Sequence, residues 1–495
     1  MIYLGIDCGT QSTKTVALDG DTGKIIASAA EPYDLIPGLP PGHMEQHPAT
    51  WIEAMETTIA RVLDELGPRR ADVRGVGVSG QQHGFVPLDH DAQVIRPAKL
   101  WNDTSTAEEC DLFRAHFGGA AYFIERTGLD MLPGYTAPKI LWLKRHEPEN
   151  FARLATVLLP HDFLNFHLTG NLRMEYGDAS GTALLNTRSG AWESDILEFI
   201  DPSLPSKMPP VGSSREPAGT LRAELAARWN LPRDAIVSAG GGDNMMGAIG
   251  TANVAPGVVT ASLGTSGTIY AYSDKPVIDP KGEIAGFRDS TDAWLPLVCT
   301  MNVTVATEAA RKLFGWSHAE FDAAVERAPA GCEGLLFLPY LTGERTPNLP
   351  GATGVFHGLT PRTMEPAFIA RAVMEGATLG LTYGLQRMRE LGIAPAEIRL
   401  IGGGSHSAAW RQICADVFNC PVVTLAGAEG AAFGAAIQAL AAVQTNATVN
   451  EWASRIVKIN PNESARPVKN NSALYSESLQ KHTSLMRALA ARHFL

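Results

Sequence analysis

Two short turns of the same construction lie 255 residues apart in this chain of 495. Gly9-Thr10-Gln11-Ser12 joins the strand-like runs Tyr3–Cys8 and Lys14–Asp19, and Gly264-Thr265-Ser266-Gly267 sits inside the extended run Val258–Tyr272. Glycine and hydroxyl residues between β-branched runs are hairpin chemistry. Their repetition near half the chain length predicts two similarly built domains, 1–250 and 251–495, each containing such a hairpin. The boundary is expected near 245–256, where Gly250 to Gly257 breaks a short helix. Short β-rich runs alternate with helical patterns nearly throughout, which predicts an α/β protein with mostly central sheets. Ile25–Ala30 extends the first hairpin into a meander, a helix runs from Pro48 through Leu63, and Val73–Ser79 returns as a strand. Helices follow at Thr106–Phe117, Ala137–Arg145 and His161–Leu168. Further on come a strand at Arg399–Ile401, a helix over Ser407 to Phe418, a strand at Pro421–Val423 and a terminal helix near Ala473–Arg492. The polar stretch 445–472 carries no clear pattern.

A net charge of −11 gives no bulk attraction for phosphate backbones or anionic lipid, and no cluster of Lys and Arg offsets it. Nucleic-acid and membrane-surface binding are therefore not expected. The longest apolar run, 426–444, contains Glu429, Gln438 and many small side chains, which suit a tightly packed internal helix better than a bilayer span. Six scattered cysteines without a CxxC pair argue against a disulfide framework or a zinc site, and MIYLGIDCGTQ has no signal-peptide pattern. The expected compartment is the cytoplasm.

Gly75-Val-Gly-Val-Ser-Gly80 matches the dinucleotide-binding glycine pattern, but its glycines lie within and just after a strand. An extended run follows it, not the helix start that a pyrophosphate needs. No P-loop motif is present. Asp7 to Lys14 supplies a carboxylate, a glycine turn, three hydroxyls and an ammonium, the mixture a metal-bound polyphosphate needs, although a merely polar hairpin reads the same. Two such hairpins facing each other would grip a polyphosphate from both sides. Gly240-Gly241-Gly242-Asp243-Asn244 follows a strand at Ala235–Ala239, and Asp243 opens the next helix. The helix dipole there would hold it ionised as an acceptor for a substrate proton; the plainer reading is an N-cap aspartate. Gly402-Gly403-Gly404-Ser405-His406-Ser407 is either room for a flat adenine or ribose or a loose loop. His83 and Asp103 stand at ends of strand-like runs, where α/β sheets place ligand groups.

Taken together these residues resemble the FGGY carbohydrate kinases of the actin-like ATPase superfamily, over about residues 1–440. Gly134 to Pro148 resembles the first family signature, and Gly354 to Leu359 through Ala372 to Glu375 is similar to the second. The resemblance implies two actin-like ATPase (ribonuclease H-like) domains flanking a catalytic cleft that closes on sugar, the first carrying sugar and one phosphate hairpin, the second carrying the other hairpin and adenosine. It implies Asp243 as general base and Asp7 as the residue positioning Mg²⁺. Gln82, His83, Asp103 and Asn244 would hold an open-chain sugar, and Thr10, Thr13, Lys14, Gly264, Thr265, Gly402, Gly403 and His406 would contact ATP. Trp101-Asn102-Asp103 and Gly80 to Gly84 are similar to the branch that converts D-xylulose to D-xylulose 5-phosphate. The alternatives are another ketose or polyol (D-ribulose, L-xylulose, D-gluconate, glycerol) or an actin-like or chaperone-like ATPase. The implied partners are the sugar and ATP, with a homodimer in keeping with the family.

Overall fold

The computed structural model describes residues 1–427 and 430–495; Glu429 lies outside them. The chain forms two compact units, one of Met1–Ala255, Tyr272–Leu295 and Gly427–Val457, the other of Pro256–Ala271, Pro296–Ala426 and Lys458–Leu495.

In the first unit Ile2–Cys8 and Ser12–Asp19 form the expected antiparallel hairpin, Lys24–Pro32 continues it, and Val73–Gly80 joins Ile2–Cys8 in parallel. Ile236–Val237 and then Gly219–Thr220 complete the row, and Gly241–Gly242 pairs with the far end of Val73–Gly80. Successive side chains of a strand face opposite ways. Ile2, Leu4, Ile6 and Cys8 therefore enter one core with Trp51, Met55, Ile59 and Val62 of the helix Pro48–Leu66. Gly5 faces the other way, against the helix Ala431–Val443.

That helix explains Gly75 and Gly77, while Gly80 packs against His161. A Cβ on Gly5 would stand 1.9 Å from the Ala432 carbonyl oxygen, and one on Gly77 2.1 Å from that of Ala435. The backbones touch, so the strand glycines serve helix packing and not a dinucleotide. The same helix meets Asp243–Gly250 equally closely, where a Gly434 Cβ would lie 1.8 Å from the Met246 carbonyl oxygen. A segment more than 170 residues beyond position 255 thus belongs physically to the first unit, where a single cut at 250 would leave it in the second. Its residues Ala432 to Leu440 are buried, and among the described residues no helix is long and apolar enough to cross a membrane.

The second unit repeats the sheet order. Val258–Leu263 and Gly267–Ala271 form the antiparallel hairpin, Leu297 to Thr300 of the strand Trp294–Thr300 pair with its outer side, and Glu397–Ile401 then Val422–Leu425 add in parallel on its inner side. Residues 445–472, patternless in sequence, hold the helix Val449–Ile456 and the strand Ile459–Ala465, an antiparallel edge on Val422–Leu425. That strand is mostly solvent-facing, which is why it lacks an apolar alternation. All six cysteines are free.

Candidate active site

Asp7 stands at the carboxyl end of the first strand, where such sheets expose ligand groups. Its register partner across the hairpin is Lys14, and its parallel neighbour is Ser79, whose hydroxyl donates to Asp7 Oδ1 at 2.9 Å. Burial raises its pKa against the opposing effects of Ser79 and Lys14. Asp7, Thr10, Lys14 and Trp101 line a cavity of ≈ 780 Å³ within this unit. Thr10 Oγ1 donates to Gln81 Oε1 at 3.1 Å and accepts from Trp101 Nε1 at 3.0 Å, which ties the hairpin to the Trp101-Asn102-Asp103 loop. Gln46, unmarked in sequence, holds the other side, its Nε2 donating to the Thr10 carbonyl at 2.7 Å.

Thr13 departs from expectation. It is fully buried, with its hydroxyl 3.1 Å from Tyr33 Oη, because strand alternation turns it away from the face that carries Lys14. Thr13→Val is accordingly expected to leave KM for ATP within about twofold while lowering stability by about 1 kcal/mol for the lost hydrogen bond. Steady-state kinetics and thermal denaturation of the variant check both.

Asp243 is the first residue of the helix Asp243–Gly250, after the cap residue Gly242. Its Oδ1 accepts from the Asn244 backbone N–H at 2.8 Å and from Asn244 Nδ2 at 2.9 Å, and Nδ2 also donates to Gln82 Oε1 at 2.8 Å. Asp243, Asn244 and Gln82 are thereby brought together. The helix dipole does not decide its charge: burial, then the negative charge of Asp7, and also that of Asp178, raise its pKa to about 7. The glycine run serves packing here too, since a Cβ on Gly242 would sit 2.6 Å from Gln82 Cγ.

Gln81 to Gly84 form a turn, not an extended run, with His83 in the left-handed region at φ 63. The strain is held from outside: the His83 carbonyl accepts from Lys139 Nζ at 2.7 Å and Thr136 Oγ1 at 3.2 Å, both on the helix Thr136–His146. The His83 ring packs edge-on against Tyr135 at 5.0 Å. Lys139 is fully buried, and desolvation takes its pKa well below the lysine range.

Asp103 is also placed differently from expectation. It is fully buried and accepts from Met44 N, Lys99 Nζ, and both the amide and hydroxyl of Ser105, which fills the usual carboxylate acceptor capacity. Burial would raise its pKa, but these bonds and Lys99 together lower it. Its role is to brace the 99–105 loop. His43, Glu45 and Asp103 have metal-like spacing, yet the Lys99 ammonium contacts all three at 3.2 Å and supplies the cation itself.

In the second unit, Gly402 has φ 83, and a Cβ there would lie 3.0 Å from the carbonyl carbon and oxygen of Leu263. The Gly402 loop thus lies against the start of the Gly264-Thr265 turn. Val303 N–H and Thr304 N–H donate to the Thr265 and Gly264 carbonyls at 3.1 and 2.9 Å, which stiffens that turn. A Cβ on Gly403 would meet nothing within 4 Å, and Thr265 and His406 are exposed, so this face is open to a ligand.

Some site residues left no mark in the sequence. His161, on the helix Pro160–Thr169, and Asp178, on the four-residue helix Tyr176–Ala179, pair at 2.7 Å behind Gln82. Both are fully buried.

Known proteins resemble this chain in sequence and fold. The model for the N-terminal domain of the FGGY family of carbohydrate kinases matches residues 2–250, and that for the C-terminal domain matches 259–443. A xylulose kinase of Haemophilus influenzae is 41% identical over 445 residues, 89% of this chain and 90% of its own. The crystal structure of a xyloylose kinase from Brucella ovis is 32% identical with a TM-score of 0.92, over 99% of this chain and 100% of that one. A gluconate kinase structure from Lactobacillus acidophilus is 26% identical with a TM-score of 0.92, over 99% and 98%. With both halves matched in order, and relatives covering nearly its whole length, this two-domain α/β chain of actin-like ATPase fold belongs to the FGGY family of carbohydrate kinases and is a carbohydrate kinase.

Proposed function

We propose that the chain transfers the γ-phosphoryl group of ATP to the 5-hydroxyl of D-xylulose, giving D-xylulose 5-phosphate and ADP, with Asp243 as general base. The observation that carries this reading is the setting of Asp243: a carboxylate raised to about 7, with Oδ1 occupied by Asn244 and Oδ2 given no protein partner by these bonds. A base with its pKa near the working pH combines ionisation with proton affinity. As the sugar hydroxyl attacks phosphorus, its proton passes to Asp243 and the bond to the ADP oxygen breaks. No covalent enzyme intermediate is needed, so catalysis rests on positioning and charge neutralisation.

Gln82 and His83 hold the sugar beside Asn244, and Lys14 with the Thr10 turn faces the phosphates. In the second unit, Gly264, Thr265, Gly402, Gly403 and His406 are the candidate nucleotide contacts. Asp7 fits a divalent cation, because burial raises its pKa and the one cation acting on it, Lys14, is exposed. Mg²⁺ held through Asp7 neutralises phosphate charge when bound. The relatives named as xylulose kinases favour D-xylulose, and the likeness to a gluconate kinase makes D-gluconate the main competitor.

The test is ADP release from Mg-ATP with D-xylulose, L-xylulose, D-ribulose, D-gluconate, glycerol or no sugar. D-xylulose is expected to give the highest kcat/KM, with release near background when sugar is left out. A higher value for another member overturns the substrate assignment.

A further inference from the structure

Behind Asp243 the buried polar groups form a chain that ends on a histidine. His161 Nδ1 lies 2.7 Å from Asp178 Oδ2, while Nε2 lies 3.0 Å from Asp162 Oδ1 without hydrogen-bond alignment; against burial, the two carboxylates raise the pKa of the ring well above the ordinary histidine value. Asp178 Oδ1 is buried without a hydrogen-bond partner, and so is Gln82 Nε2. The two side chains adjoin: an ideal Cβ on Gly242 would stand 2.9 Å from Gln82 Cδ and 3.0 Å from Asp178 Oδ1. At its other end the Gln82 amide accepts from Asn244 Nδ2, which also donates to Asp243 Oδ1.

We propose that Asp178, braced by His161, is a positioning residue that sets which end of the Gln82 amide faces Asn244, and thereby which oxygen of Asp243 stays open to the sugar. An amide has a donor end and an acceptor end, and an ionised carboxylate accommodates only the donor end. With Nε2 toward Asp178, Oε1 must face Asn244, Asn244 must present its NH₂ group, and Asp243 Oδ1 is engaged while Oδ2 remains. An asparagine in place of Asp178 can present its own NH₂ group, letting the Gln82 amide turn over and setting donor against donor at Asn244. No proton moves along the chain; it transmits orientation only.

This inference rests on Asp243 acting as the base. Its test compares kcat and both KM values for Asp178→Asn, Gln82→Glu and the double variant. Asp178→Asn is expected to lower kcat at least about tenfold with KM for ATP within about twofold. Gln82→Glu sets two carboxylates face to face and also lowers kcat. The double variant restores the local charge and the donor–acceptor order, since the amide introduced by Asp178→Asn donates to the carboxylate introduced by Gln82→Glu, and that carboxylate accepts from Asn244. It is expected to exceed Gln82→Glu in kcat by about tenfold, a coupling that a purely structural role for Asp178 does not produce. A wild-type kcat for Asp178→Asn, or a double variant no better than Gln82→Glu, overturns the proposal; so does a double variant that does not fold, because it restores every partner. Should Asp178→Asn alone not fold, the comparison of Gln82→Glu with the double variant decides. Asp243→Asn, assayed alongside, separates the two ideas: if it is inactive while positions 178 and 82 show no coupling, only the relay fails, and if it is active, the base assignment fails.

Discussion

Asp243→Asn is expected to lower kcat for sugar phosphorylation by ~10²–10⁴, the usual contribution of a positioned base, while MgATP still binds. The amide keeps the shape of the side chain and can still accept from Asn244, so the loss reads on proton transfer and not on folding. Stopped-flow or steady-state rates combined with nucleotide binding by calorimetry measure the split; kcat within about threefold of wild type would remove Asp243 from the mechanism. The same variant has a signature in stability. The carboxyl pKa is raised in the folded protein to about 7, from an ordinary value of 3.8. A raised folded pKa means that the native state holds the proton more tightly than the unfolded chain. The advantage is fully present below the unfolded pKa and is lost as pH rises through about 7, where the native state must carry a buried charge. In metal-free protein, Asp243→Asn should therefore gain thermal stability over wild type at pH 8 and much less at pH 5. A difference between the two proteins that does not change across that range would count against the raised pKa.

Gly77→Val is expected to leave little folded protein. The added Cβ alone would come within 2.1 Å of the Ala435 carbonyl oxygen, which is backbone on both sides and cannot swing away. Overpacking a core by a few methyl groups costs about 1–3 kcal/mol, and more where neither side can relax. Here the displaced helix is shared between the sheet and Asp243–Gly250, so the strain reaches the candidate base. Soluble yield and the midpoint of thermal unfolding measure the effect, with Gly403→Ala as the control, since nothing lies within 4 Å of its added methyl. Equal stability of Gly77→Val and wild type would mean that the strand and the Ala431–Val443 helix are not in backbone contact.

Both expectations concern residues that stand out in the chain, and they stand out for different reasons. Asp243 is legible because a helix start after a glycine run is a local pattern, and local patterns survive folding. The strand glycines at 75 and 77 are visible too, but their partners Ala439 and Ala435 are not, because they lie about 360 residues away in sequence. Thr13 is misplaced by its motif, although alternation along the hairpin already puts it on the face opposite Lys14.

What the amino-acid order alone determined was the pair of hairpins, the strand and helix succession around them, and the positions of Asp7, Asp243 and the Gly402–Gly404 run, since hairpin turns, helix starts and periodicity depend on neighbours a few residues apart. Tertiary structure decided three matters. It returned the helix Ala431–Val443 to the first unit by glycine-to-carbonyl contact. It spent the acceptors of Asp103 on Met44, Lys99 and Ser105. It also set the charge of Asp243, where the dipole of a single helix end, typically worth about 0.3–1 kcal/mol, is outweighed by desolvation and by Asp7. Burial and distant charges are properties of position in space, and no local pattern encodes them.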